Sequence, residues 1–243
     1  EKNSFINNSM NTTNGYALSI PDNNCEDYCY NHSVDTSNNE NGNTIYYYAY
    51  QPSVILVDTE NIGEIFIGNC QNVLIRNVTV VEDGFIIRDS DDFNIYNNSV
   101  NSNGYQVNGF LVSNADNSIN NISHNTISTN GSFADGIDLS SSGGLQIINN
   151  TITTIGQSSY GLDTSNSNSN NISYNNITTT GNSANGVDMG SSTNNTLTFN
   201  SFNTTNGYGV YITYSTSPTA SYYNHNIDTT NTEQGDPIYY YYG

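Results

Sequence analysis

Tryptophan is absent from these 243 residues, and lysine and arginine together number three. Against Lys2, Arg76 and Arg88 stand 22 acidic residues, for a formal net charge of −19. Nucleic acids and anionic membranes are bound mainly through Lys and Arg, so neither is expected as a partner. Charged residues are only 10% of the chain, which excludes a polyelectrolyte tail. No run approaches the roughly 20 apolar residues of a membrane span, so no transmembrane segment is expected. No stretch shows a 3.6-residue apolar period, and helices are not expected either. The chain opens at Glu1 with no signal-peptide pattern, which reads as a mature form or a fragment. So polar a chain would ordinarily be disordered, with too little apolar surface to offset the entropy of ordering.

What the chain has instead is asparagine, roughly a fifth of all residues, and a short repeat. An apolar residue is followed by Asn three positions on and by a second apolar residue at five. The pattern reads Ile95-Asn98-Val100, Ile122-Asn125-Ile127, Ile147-Asn150-Ile152, Ile172-Asn175-Ile177 and Leu197-Asn200-Phe202. Relaxed copies are Phe5-Asn8-Met10, Cys29-His32-Val34, Val73-Arg76-Val78 and Tyr222-His225-Ile227, with a further coil expected around Val54 to Val57. A second pattern, Gly followed by alternating apolar residues, begins at Gly84, Gly109, Gly136, Gly161, Gly186 and Gly209. Period-two alternation between Gly, Asn and Ser clusters means strands joined by turns. Short strands recurring about every 25 residues without helices predict an all-β fold, a single parallel β-helix of about nine or ten coils over residues 1–243. Each coil cannot bury its apolar face alone, but a stack shares one narrow core. Asn98, Asn125, Asn150, Asn175 and Asn200 should then form a ladder of side-chain amides at a buried bend. Residues 39–60 read as a Tyr-rich insertion or extra coil, and 222–243 as a terminal coil repeating 29–48.

One motif occurs twice. Tyr30–Tyr48 reads YNHSVDTSNNENGNTIYYY and Tyr223–Tyr241 reads YNHNIDTTNTEQGDPIYYY. With the Asn-rich coils between its copies, the chain resembles right-handed parallel β-helix repeat proteins of archaeal cell surfaces, grouped with NosD-like and carbohydrate-associated β-helix domains. That resemblance implies a secreted surface-layer, sheath, filament or adhesin protein, and it brings no catalytic residues to carry over.

Chemistry must be judged on residues, since the fold also houses polysaccharide lyases and glycoside hydrolases. Lyase action on uronic acids calls for cationic groups, which this chain lacks. A glycoside hydrolase needs two carboxylates in a cleft. Asp89, Asp91 and Asp92 could supply them, though an acidic turn on a solvated edge explains that run as well. No catalytic residues are assigned and no enzyme is expected. Asp138, Asp163 and Asp188 recur at one outward position every 25 residues, with Asp135 close to the first. Like charges about 5 Å apart repel, and a hard cation such as Ca²⁺ on the column would relieve them; salt screening on an exposed face is the alternative. No cofactor is required.

Twelve N-glycosylation sequons begin at Asn7, Asn11, Asn31, Asn77, Asn97, Asn121, Asn130, Asn149, Asn171, Asn176, Asn194 and Asn203. Composition alone predicts about as many, so they mark acceptors for N-linked glycans without showing selection for them. Cys25, Cys29 and Cys70 are too few for a zinc site; a bridge from the Cys25–Cys29 region to Cys70 would brace the early coils in an extracellular setting. Tyr46, Tyr47, Tyr48, Tyr239, Tyr240, Tyr241 and Tyr242 are candidate interface anchors, with sugar stacking as the rival role. Neither end shows a capping helix. The reading is an extracellular structural protein assembling head to tail with itself through open coil ends, with carbohydrate binding or adhesion as the alternative and an active polysaccharide enzyme third.

Overall fold

The computed structural model describes residues 2–20, 29–116, 119–213 and 220–241. It is a right-handed parallel β-helix, with no α-helix among the described residues. Ten coils each contribute a short strand to a first face. These are Ser4–Phe5, Ser33–Val34, Val54–Val57, Val73–Arg76, Phe93–Tyr96, Asn121–Ser123, Gln146–Ile148, Asn171–Ser173, Thr196–Thr198 and Asn226–Ile227. The last eight form one parallel sheet, and the first two pair with each other. Ile75, Ile95, Ile122, Ile147, Ile172, Leu197 and Ile227 lie in one register line, all buried.

A second face begins one corner later, with strands such as Ser99–Ser102, Thr126–Thr129, Thr151–Thr154, Asn176–Thr179 and Ser201–Thr204. A third face carries Phe110–Ser113, Ile137–Ser140, Leu162–Ser165, Val187–Gly190 and Val210–Thr213. Strands Ile62–Gly68 and Thr79–Arg88 run through the corner and join these two faces. Alternate side chains point inward, so the core is a column of Ile, Val, Leu and Phe, including a stacked pair, Phe85 and Phe110, 4.5 Å apart.

The corner between the first two faces is built from two adjacent positions. Asn97, His124, Asn149, Tyr174 and Phe199 have φ near +55°, and this left-handed residue turns the chain. Among residues with a side chain Asn is one of the few that tolerate that conformation well; where Tyr174 and Phe199 adopt it, their rings stack 4.7 Å apart. The next residue is the ladder Asn. In Asn98, Asn125, Asn150, Asn175 and Asn200 the backbone N–H and Nδ2 both donate to Oδ1 of the Asn one coil on, at 2.8–3.1 Å, and the line runs on to Asn231. A buried bend is thereby satisfied with no water.

Close approach of coils demands glycine at one corner. A Cβ on Gly131, Gly156 or Gly181 would lie 1.7–1.8 Å from the carbonyl oxygen of the glycine one coil earlier.

The register also corrects three of the relaxed repeat copies. Val34, not Cys29, pairs with Phe5, and Asn39–Glu40 pairs with Ser9–Met10, so the second coil reads Val34-Asn38-Glu40. Likewise the last coil reads Ile227-Asn231-Glu233, and the fourth reads Ile75-Val78-Val80. In the fourth coil the spacing is regular, and Val73 shares the inward side of the strand with Ile75 two residues on; in the second and last coils the physical reason is an extra residue at the corner. Asp35 and Asp228 accept from Ser37 and Thr230 two positions on, a side-chain turn that stretches the arc before the ladder Asn.

Asn175→Ala removes the acceptor for two donors on Asn150 and should cost about 1–3 kcal/mol. Asn176→Ala, exposed one residue away, should change stability by no more than about 0.5 kcal/mol. Urea unfolding of the two variants checks this difference.

Candidate functional site

The outward side of the third face holds a single register column: Tyr47, Phe66, Ile86, Leu111, Asp138, Asp163, Asp188 and Tyr211. Its first half is apolar. There the N-terminal strap, residues 12–20, lies across the coils, and Tyr16, Ile20 and Tyr30 pack with Phe66, Ile86 and Leu111. Gly15 N–H donates to the Tyr105 carbonyl at 3.1 Å, and Asn108 N–H donates to Tyr16 Oη at 2.9 Å. Its second half is acidic and left uncovered by the strap.

The Asp column is set deeper than an outward position suggests. Asp188 is buried and Asp138 and Asp163 are half-buried. Asp138 accepts from Asn108 Nδ2 at 3.0 Å, Asp163 from Ser165 Oγ at 3.0 Å, and Asp188 from Asn185 Nδ2 at 3.1 Å and Thr213 Oγ1 at 3.0 Å. Burial pushes Asp138 up to about 6, against hydrogen bonding from Asn108 and the pull of Arg88. Burial and then the charges of Asp138 and Asp188 push Asp163 up to about 7, and burial also raises Asp188. Asp135 is raised well above the usual carboxylate range by burial first and by the column second. It does an asparagine's work: Asn108 and Asn185 accept the backbone N–H one coil on through Oδ1, and Asp135 does the same for Tyr160 at 2.5 Å.

Beside the end of the column Tyr160, Asn185, Gly207, Tyr208 and Tyr211 line an open cleft of about 510 Å³. Tyr208 and Tyr211 stack 5.5 Å apart with planes 13° from parallel, and both are exposed.

The expected cation position on the Asp column does not bring three carboxylates together. Among the described residues one group does: Glu40, Glu64 and Asp83, whose oxygens lie within 4.8 Å of one another. They are 1%, 0% and 3% exposed. Glu40 accepts from Thr12 Oγ1, Glu64 from Leu18 N–H at 2.9 Å, and Asp83 from Ala17 N–H at 2.5 Å, so all three grip the strap. Burial, then Asp83 and Glu82, push Glu40 up to about 9; burial and Asp83 raise Glu64 well above its ordinary value, and burial raises Asp83. Spacing hid this group, since its members fall where the 25-residue repeat is irregular. One signal was available: Glu64 stands in register with Gly84, in the line that holds glycine on the later coils.

The other candidates fall in structural places. Asp89 and Asp92 take left-handed turn positions; Asp89 accepts from Tyr30 Oη at 2.5 Å, and Asp91 accepts from Asn120. His32 and His225 accept backbone N–H groups of Asn3 and Asn195 at equivalent corners. Tyr46 and Tyr48 pack on the core and Tyr47 donates to the Tyr30 carbonyl, as Tyr240 does to Tyr223. Tyr239 and Tyr241 are 65% and 87% exposed, and Tyr242 lies outside the described residues. None of the twelve sequon asparagines is buried. The expected bridge to Cys70 is corrected: Cys70 is a buried free thiol, its Sγ facing the Gly68 carbonyl in the core, while Cys29 is disulfide-bonded and Cys25 lies outside the described residues.

Residues 63–233 match the family described as right handed beta helix region, and the chain belongs to that family. No curated protein matches it. Among solved structures, HetL, a pentapeptide repeat protein involved in heterocyst differentiation regulation from the cyanobacterium Nostoc sp., is similar over 68% of this chain and 85% of its own. The identity is 11% and the TM-score 0.15, too low to carry an argument. No helix among the described residues is long and apolar enough to cross a membrane.

A carboxyl raised above its unfolded value stabilises the fold at acid pH and loses that contribution as pH rises through its folded pKa. Asp138 and Asp163 therefore stabilise below about pH 4 and cease to by about pH 7. His225, lowered by burial, acts with the opposite sign. Asp163→Asn should raise Tm at pH 8 and shrink the drop in Tm between pH 5 and pH 8, read by thermal melts in EDTA.

Proposed function

We propose that this β-helix acts outside the cell as a non-catalytic surface protein that binds glycans along its third face. The observation that carries the reading is the cleft of Tyr160, Tyr208 and Tyr211 over Asn185, next to Asp188. Rigid aromatic faces offer large contact area at small entropic cost, and amide and carboxylate oxygens beside them suit hydroxyl or ammonium donors. With a net charge of −19 the face repels uronates and sulfated chains, so the ligands are neutral or amino sugars. The carboxyls next to the cleft are occupied in hydrogen bonds to Ser165, Asn185 and Thr213 within the fold, which supports binding over acid–base catalysis.

Glycan arrays followed by calorimetry test this. Neutral or amino-sugar oligomers should bind, and the Tyr208→Ala, Tyr211→Ala double variant should lose at least tenfold in affinity with Tm within about 2 °C. Binding left intact in that variant, or cleavage of the oligomer, would overturn the reading.

A second reading, a self-associating filament, sheath or surface-layer subunit, is supported by the duplicated motif. In its first copy Ile45 is buried and Tyr46 and Tyr48 are half-buried beneath the strand Ile62–Gly68; in its second copy Ile238 is half-buried and Tyr239 and Tyr241 are exposed. A further coil, from the same chain or a second copy, would cover that edge. Electron microscopy of the purified protein should show ordered polymers if a second copy does so; monodisperse particles would sink this second reading.

A further inference from the structure

We infer that Glu40, Glu64 and Asp83 form a binding site for one hard divalent cation, of the Ca²⁺ class, that fastens the N-terminal strap to the body of the β-helix. The inference is independent of the glycan reading.

Three carboxyl groups converge in the interior with oxygens no more than 4.8 Å apart. Ligands on opposite sides of a Ca²⁺ ion are separated by about 4.6–5.2 Å, twice the usual Ca–O distance, so one ion can touch all three groups. Glu40 Oε2 and Glu64 Oε1 are buried with no hydrogen-bond donor, although each residue's other oxygen has one from the strap. An unpaired buried carboxylate oxygen is costly, and here two belong to one cluster. The main charges acting on the three groups are one another's and that of Glu82, none of them cationic. Only oxygen ligands are offered, which suits a hard ion and not zinc or copper. A cavity of about 250 Å³, lined by Thr12, Gly15, Glu40, Glu82, Asp83 and Asn103, opens beside the cluster and gives room for an ion with its waters.

The repeat supplies an internal control. Glu233 stands at the equivalent place in the second motif copy, where Thr204 donates to it at 2.8 Å as Thr12 donates to Glu40. The Glu233 Oε2 atom is also without a donor, yet among the described residues Glu233 belongs to no cluster of three carboxyls. Glu233 should therefore not contribute to cation binding.

The test is calorimetric titration of the EDTA-stripped protein with CaCl₂, alongside thermal melts and limited proteolysis of residues 12–20 with and without Ca²⁺. One ion per chain should bind with a Kd below about 1 mM, raise Tm by at least about 3 °C and protect the strap from cleavage. Glu64→Gln and Asp83→Asn should abolish the Tm response, and Glu233→Gln and Asp163→Asn should keep it. If the three carboxyls instead share protons, wild type will not respond to Ca²⁺ and Glu64→Gln will melt no lower at pH 7, which overturns the inference. A response lost in Asp163→Asn but kept in Asp83→Asn would overturn it too, by moving the ion to the Asp column. Should Glu64→Gln fail to fold, Asp83→Asn alone decides.

Discussion

In a parallel stack every side chain lies about 4.8 Å from its counterpart on the next coil. Like therefore meets like, and the worth of a residue depends on how well it tolerates its own copy. Isoleucine gains, because identical branched side chains bury one another. Asparagine gains more than any other polar residue, because it carries donor and acceptor on one group and closes a chain of amides with itself. Aspartate loses, since it only accepts and repels. The Asn ladder and the Ile lines satisfy this constraint; the Asp column violates it, and burial, joined at Asp163 by the charges of its neighbours, makes its carboxyls hold protons more tightly.

That logic explains what the sequence could disclose. The fold follows from Ile, Asn and Ile recurring at 25-residue intervals, and the regular coils from Asn121 to Thr204 lie as the spacing implies. Register was lost at Val34 and Ile227, where the corner before the ladder changes length, and at Ile75, where Val73 faces inward two residues earlier on the same strand. Asp138, Asp163 and Asp188 were visible as a column because they repeat. Glu40, Glu64 and Asp83 were not, because they come from three coils of unequal length and meet through a bend and a bulge between Ile62 and Glu64. The Tyr160–Tyr208–Tyr211 cleft was equally hidden, since no spacing links a residue on the column to one beside it.

The third face is divided along its length by the strap. Over the early coils it is apolar and covered, and over the later ones acidic, flanked by tyrosines and left uncovered by the strap. Tyr16 marks the boundary: its hydroxyl accepts from Asn108, and Asn108 in turn donates to Asp138. A single line of side chains thus passes from a buried seam, through the strap's edge, into the cleft region.

The strap also changes how the molecule carries force. A β-helix pulled along its axis is a chain of links in series, each coil holding only its neighbours. Among the early coils the first face is interrupted between Ser33–Val34 and Val54–Val57, where no strand pairing crosses and the junction is carried by Asn43–Ala49 on Ile62–Gly68. Residues 14–18 pass that junction on another side, reaching from the first coil to Glu64, Asp83 and Tyr105 on later coils. They lay a second load path beside the first, so tension at the joint is shared as it is across a splice.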